Sequence, residues 1–241
     1  MGLFSRKKRG NTDDPTLANT DEANAPADGE TSSADIDPGP SPLEAVEMLI
    51  DREWERIAGP GSWWTGGERV AIATDARRAA AGMEPSGVLP PPVEEATRRV
   101  ALDAAGIRDT DVARWEFEGL DHFAYVEIVG IVSRLLALDV TMLGLGRTPR
   151  PLPDDLPGDS TGEKPDGAAI TTGWAPTVGP ATAPSSLSAV PGEAAGMWDV
   201  HGVLYLSLDQ MFDMQIELDG LTRPQIELVA ARTSALNDCF Y

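Results

Sequence analysis

The chain has 241 residues and a formal net charge of −20, from 39 acidic against 19 basic side chains. That balance argues against a nucleic-acid surface, because phosphate binding needs clustered Lys and Arg. A single cysteine excludes an intrachain disulfide and fits a reducing compartment, while 41% apolar residues, six tryptophans among them, suffice for a packed core.

Residues 1–40 are short of aromatic and β-branched residues, and Asn11 to Pro40 holds eight acidic side chains and no Lys or Arg. Such a segment cannot bury enough apolar surface to order itself, so a disordered acidic tail is expected over 1–40. The start, MGLFSRKKRG, has no apolar stretch of the secretory kind, and Arg6 stands where myristoylation requires Ser or Thr. A cytoplasmic location is expected.

Order begins at Ser41-Pro42-Leu43-Glu44, where a capping serine, a proline at the first helical position and a glutamate at the third form a strong helix start. Leu43, Val46, Leu49, Ile50, Trp54 and Ile57 make its apolar stripe, and Gly59-Pro60-Gly61 ends it. A second capping box, Thr65 to Glu68, opens an alanine-rich helix with Val70, Ile72 and Ala76, closing near Gly82. Pro90 to Pro92 starts a third helix with Val93, Ala96, Val100 and Ala104, capped by Gly106. A short helix with Val112, Trp115 and Phe117 follows, and Asp121 then caps a long apolar helix to about Leu145. Glu127, Arg134 and Asp139 interrupt its run from Phe123 to Leu145, which reads as a buried helix and not a membrane span. A buried Glu127 needs a partner, and an arginine of the core is the expected one.

From Arg147 to Pro184, eight prolines and no sustained period mark a linker (147–184) laid over the helical body. Helical pattern returns from Ser185, with Pro191 breaking an early turn, and a helix is expected around Met197 to Met214. Gly220 ends this region. Thr222, Pro224 and Gln225 open a last helix, with Ile226, Val229, Ala230, Thr233 and Leu236 at helical spacing and a stop at Asn237-Asp238. No strand pattern of any length is present, so the expected class is all-α.

The second and the last helix match each other. Placing Glu68 on Glu227 pairs Val70 with Val229, Ala71 with Ala230, Thr74 with Thr233 and Ala76 with Ala235, behind two similar capping boxes. This predicts two tandem helical units, 41–146 and 185–241. Ala80 takes the place of Cys239, so the first unit has no thiol. The first unit runs on from Ala80 to roughly Leu152, whereas the chain ends two residues after Cys239, so the second is expected to be incomplete.

The terminal run QIELVAARTSALNDCFY, with ERVAIA and FAYVEIVGIVSRLLALD in the first unit, resembles the alkylhydroperoxidase-D-like proteins of the carboxymuconolactone decarboxylase superfamily, in their two-unit, peroxidase-related branch. The resemblance covers roughly Pro42 to Tyr241. It implies an all-helical, alkylhydroperoxidase-D-like fold. It also implies a Cys-x-x-Cys-x-x-x-His redox centre, with a glutamate twelve residues before the first cysteine. Carried over, Cys239 is that cysteine, Glu227 is that glutamate, and Phe240 and Tyr241 are the intervening pair. The second cysteine, which attacks peroxide in the resembling enzymes, and the histidine would follow Tyr241 and are not in the chain. His122 and His201 stand outside the motif. The implied activity is thiol-dependent hydroperoxide reduction with a thiol or disulfide reductant. No cofactor, metal or membrane partner is implied, and self-association into a homo-oligomer is.

In that chemistry a thiolate cleaves the O–O bond, leaving a sulfenic acid that a neighbouring thiol converts to a disulfide, while a carboxylate relays protons. In one straight helix Glu227 and Cys239 would stand about 18 Å apart and about 120° out of phase, so they cooperate only if the chain turns at Asn237-Asp238. Asp238, an adjacent anion, opposes thiolate formation. The chain as given is expected to be inactive or impaired as a peroxidase. A fragment, a premature stop or a selenocysteine codon read as stop would each end it here, and the downstream nucleotides distinguish them. Two alternatives remain at this point. One is a non-catalytic helical scaffold or single-thiol redox sensor, in which a lone cysteine is a small buried residue or a sensing thiol. The other is a carboxymuconolactone-decarboxylase-type lyase, against which the thiol motif argues.

Overall fold

The computed structural model describes residues 40–218 and 220–237. Among them 59% are helical and 4% lie in strands, so the fold is all-α. The expected tail, apart from Pro40, lies outside the described residues, and so does Cys239.

The local signals place the helix starts. In α1 (Pro42–Ala58) the Ser41 N–H donates to Glu44 Oε2 at 2.8 Å, and in α2 (Gly66–Ala80) the Thr65 N–H donates to Glu68 Oε2 at 2.9 Å. Each box satisfies backbone donors that the helix leaves unpaired. α3 (Pro91–Asp103) starts on its prolines, and a tight three-residue turn, Ala104–Gly106, finishes it. α4 (Asp109–Phe117) buries Val112 and Trp115, and leaves Phe117 in solvent.

α5 (His122–Gly144), with the Asp121 side chain accepting the Phe123 N–H at its start, is the central helix. It is apolar nearly all round and buried on most of its surface, with Ser133, Val140 and Leu143 exposed on the remaining side. Around it pack α1, α2, α3 and α6 (Pro191–Leu204). Leu49, Ile72, Ala96, Trp115, Ile131 and Leu135 are fully enclosed in one continuous core. Each buried Leu or Ile side chain there is worth about 1.5–3 kcal/mol over leaving it in water.

The proline-rich segment that follows α5 runs along the α1–α2 junction as a strap. The Trp54 Nε1–H donates to the Pro151 carbonyl, the Leu156 N–H to Ala58 (2.8 Å) and the Gly162 N–H to Ser62 (2.7 Å). Further on, two-residue strands β1 (Ala168–Ala169) and β2 (Thr177–Val178) pair antiparallel. A second such hairpin, β3 (Glu217–Leu218) with β4 (Leu221–Thr222), precedes α8 (Arg223–Leu236) and holds Gly220 in the left-handed region. Strands this short carry no alternating pattern, so sequence periodicity is blind to them.

The helix expected around Met197 to Met214 is instead two. α6 begins at Pro191, so that proline starts a helix where a break was expected. Tyr205 is extended (φ −133°, ψ 171°), and a new capping box, Ser207 with Gln210, opens α7 (Leu208–Phe212). The apolar spacing runs across the junction, but the local cap overrides it.

α6 seats on α5 by backbone proximity at two glycines. A Cβ on Gly130 would lie 2.8 Å from Glu193 Cβ, and one on Gly196 would lie 2.7 Å from Arg134 Nε. A Cβ on Gly202, in the same helix as Gly196, would meet nothing within 4 Å. Gly196→Ala is therefore expected to destabilise the protein by about 1–3 kcal/mol through overpacking. Gly202→Ala should be neutral or stabilising by up to about 1 kcal/mol. Chemical denaturation of the two variants checks the contrast.

Candidate functional site

α8 carries the residues singled out by the terminal motif. Its capping box forms as expected, with the Thr222 N–H donating to Gln225 Oε1 at 2.9 Å. Glu227 sits one turn in, with half its side chain exposed, and its carboxylate meets Arg223 Nη2 at 2.6 Å. Arg223 is itself buried and donates through Nη1 to the Gln210 carbonyl at 2.8 Å. The ion pair lies within α8, and the Arg223–Gln210 hydrogen bond ties that helix back to α7. Glu227 also borders an open groove of about 700 Å³, walled by Leu204 and Tyr205 from the end of α6, by Leu218 and Leu221 from the hairpin, and by Ile226 from α8.

The helix stops where Asn237 predicts. The last helical residue is Leu236, and the Asn237 side-chain amide turns back to donate to the Thr233 carbonyl at 2.8 Å. Cys239 lies outside the described residues, so the pairing of Glu227 with Cys239 does too. Neither histidine joins Glu227. His122 Nδ1 lies 2.9 Å from Glu116, and His201 is stacked between Trp198 and Tyr205 on α6, with ring centroids 5.5 and 4.9 Å away.

A second constellation is larger, and sequence reading touched it only at Glu127 and Arg134. Glu127 pairs with Arg69 as expected of a buried carboxylate, and the pairing extends far beyond these two. Arg69 also holds Glu193 (2.9 Å), Glu193 meets Arg134 (2.7 Å), Arg134 holds Glu53 (2.7 Å), Glu53 pairs with Arg56, and Arg56 reaches Asp199. Seven charged groups from α1, α2, α5 and α6 alternate in sign along one line. Glu127 is completely enclosed, and Glu53, Arg69, Arg134 and Glu193 are nearly so. Glu127 also accepts the Trp63 N–H at 2.8 Å, and the Arg69 Nε–H donates to the Arg56 carbonyl at 3.1 Å. The Arg134–Glu193 Oε2 contact is one of charge and not an aligned hydrogen bond.

Two carboxylates on one guanidinium divide in opposite directions. Burial raises the Glu127 pKa above the ordinary carboxylate value, and the Glu193 charge adds to that, against the pull of Arg69 and the Trp63 N–H. Burial acts on Glu193 too, but Arg134 and Arg69 together outweigh it and hold that carboxyl below its usual value. Above the line, Gly59–Ser62, Thr161 and Gly192 border a cleft of about 300 Å³ that also reaches Arg69 and Glu193. The missed members had a sequence signal. Glu53 interrupts the stripe of Leu49, Ile50, Trp54 and Ile57, as Arg134 does the apolar run of α5, but its charge was not singled out.

Among the described residues no group of three or more His, Cys, Asp or Glu side chains is placed to hold a metal ion, and no helix is long and apolar enough to cross a membrane. The fold and its sites define a mostly helical protein with an interior line of ion pairs. No family model, curated protein or solved structure matches the chain.

Removing Arg69 deprives Glu127 and Glu193 of a shared partner inside the protein. Arg69→Ala is expected to cost about 3–5 kcal/mol. Arg114→Ala breaks an ion pair to Glu95 whose side chains are both 42% exposed, and should cost no more than about 1 kcal/mol. Urea unfolding midpoints of the two variants measure the difference.

Proposed function

We propose that the chain is a thiol-dependent hydroperoxide reductase of the alkylhydroperoxidase-D-like kind, with Cys239 as its redox thiol and Glu227 as its proton relay. The observation that supports it is the end of α8. A capped helix presents Glu227 to an open groove and stops at Asn237, two residues before the cysteine.

In this chain Cys239 takes the attacking role that the resemblance gives to the second cysteine: its thiolate attacks the distal oxygen of a hydroperoxide, the O–O bond breaks, and the leaving alkoxide takes a proton to become an alcohol. Glu227 accepts the thiol proton and returns it to the leaving oxygen. The sulfenic acid on Cys239 then condenses with a second thiol, releasing water and forming a disulfide. For the 241-residue chain, which holds one cysteine, the thiol reductant supplies that group. A further equivalent of thiol regenerates Cys239 by exchange.

One observation favours a non-catalytic scaffold or single-thiol sensor instead. Glu227 is engaged by Arg223 in an ordinary surface pair one helical turn apart, an arrangement that needs no catalytic role.

Hydroperoxide consumption in the presence of a small dithiol separates the readings. The peroxidase reading expects thiol-dependent turnover, abolished in Cys239→Ser and reduced about 10²–10⁴-fold in Glu227→Gln, the usual worth of a positioned proton-transfer group. Equal, non-enzymatic rates for all three proteins would reject it.

A further inference from the structure

α8 is an amphipathic helix whose apolar side the other described residues leave uncovered. Ile226, Val229, Ala230 and Thr233 recur at helical spacing, and all line the groove of about 700 Å³ beside Glu227. Leu204 and Leu206, at and beyond the end of α6, form the other side with Leu218 and Leu221 of the hairpin. No residue lining the groove is buried, and Val229 is 62% exposed. Leu236, the next residue of the same stripe, is 67% exposed. A continuous apolar lining of this size, left open to water, marks an interaction site.

The charge around this lining has one sign. Glu227 stands at the edge of the groove itself. Glu217, exposed, adjoins the lining residue Leu218 and pairs across the hairpin with Thr222. Asp209 and Asp213, also exposed, lie on and just after α7, the segment that Arg223 ties to α8. Against these carboxylates, residues 205–237 hold two basic side chains. Arg223 is buried and already paired with Glu227, which leaves Arg232. The groove is an apolar floor with an acidic rim.

We propose that this groove docks a basic amphipathic helix of another protein, with its apolar side chains against α8 and the hairpin and its Lys and Arg side chains on the rim. The lining runs from Ile226 to Ser234, more than two turns of α8, which suits a helix with apolar anchors at i, i+3, i+4 and i+7. The net charge of −20 draws such a partner in from beyond contact range. A second copy of this chain would bring the same carboxylates to the same rim, and an anionic lipid surface would meet them too, like charge against like. A basic helix is the occupant that both the floor and the rim favour. The docking stands whether or not Cys239 reduces hydroperoxides.

The test is fluorescence anisotropy of labelled synthetic peptides titrated with the full chain. The first peptide carries Leu at i, i+3, i+4 and i+7 and Lys on its flanks, the second has Glu in place of Lys, and the third is the first scrambled. The Lys peptide should bind saturably, and the other two at least about tenfold more weakly. Val229→Asp should weaken the Lys peptide about tenfold although it adds a negative charge, whereas attraction to charge alone would strengthen it. Glu217→Lys should weaken it about threefold at low salt, and by less as salt rises. Equal affinity for the scrambled peptide, unchanged affinity in Val229→Asp, or no binding of the Lys peptide would overturn the proposal. Dimers of the full chain that sediment in a concentration-dependent way and are lost in Val229→Asp would give the groove to a second copy instead. Binding to phosphatidylserine vesicles that is lost in the same variant would give it to a membrane; either result overturns the proposal. Should Val229→Asp not fold, amide exchange of the wild type decides. Slower exchange on adding the Lys peptide, confined to α8, the β3–β4 hairpin and the end of α6, supports the docking, and slowing elsewhere or none rejects it.

Discussion

Charge that cannot reach water is the constraint on which this fold depends. Arg69 and Arg134 enter the core from α2 and α5, and each meets carboxylates from two other helices. Buried pairs of this kind are often replaceable by apolar residues without loss, so their net contribution to stability is small. Their contribution to geometry is not. Any shift of α6 along α5 strands Glu193 among apolar side chains, and the two glycines at that seam permit the close approach that pairing requires. The packing of α1, α2, α5 and α6 is a solution to that pairing problem.

The matched helices α2 and α8 show how far a shared local pattern reaches. Both carry a threonine capping box, and in both a threonine hydroxyl bonds back one turn, Thr74 to the Val70 carbonyl and Thr233 to the Val229 carbonyl. Beyond that they part. Ile72, Ala73 and Ala76 of α2 have no exposure, whereas Val229 and Leu236 of α8 are more than 60% exposed. The difference lies in what surrounds them. α3 and α5 close over α2, and among the described residues only β4 packs closely on α8. The apolar stripe at Ile226, Val229, Ala230, Thr233 and Leu236 was legible as a helix face, but only Ile226 and Ala230 are partly covered.

The candidate site was legible in the same uneven way. The cap at Thr222, the stop at Asn237 and the place of Glu227 one turn into α8 all follow from residue types at fixed offsets. The Arg223 pair is also local, four residues away, and could have been drawn from the chain. The groove beside Glu227 could not, because its opposite wall comes from the end of α6. Glu127 stood out in sequence as a charge in an apolar helix, and an arginine partner follows from physics alone. Which arginine it was does not.

The sequence by itself determined the helices up to α5 and the last one, because caps, prolines and apolar periods act over three to seven residues; between Pro191 and Phe212 it misjudged the breaks. It also determined that charges would be buried, since Glu53, Glu127 and Arg134 interrupt apolar stripes. Only the tertiary structure decided how those charges pair. The contacts join residues as far as 143 positions apart, Arg56 with Asp199, and 58 apart, Arg69 with Glu127. No local rule ranks one distant guanidinium over another. That choice is made when four helices close on each other and every enclosed charge has to meet its opposite.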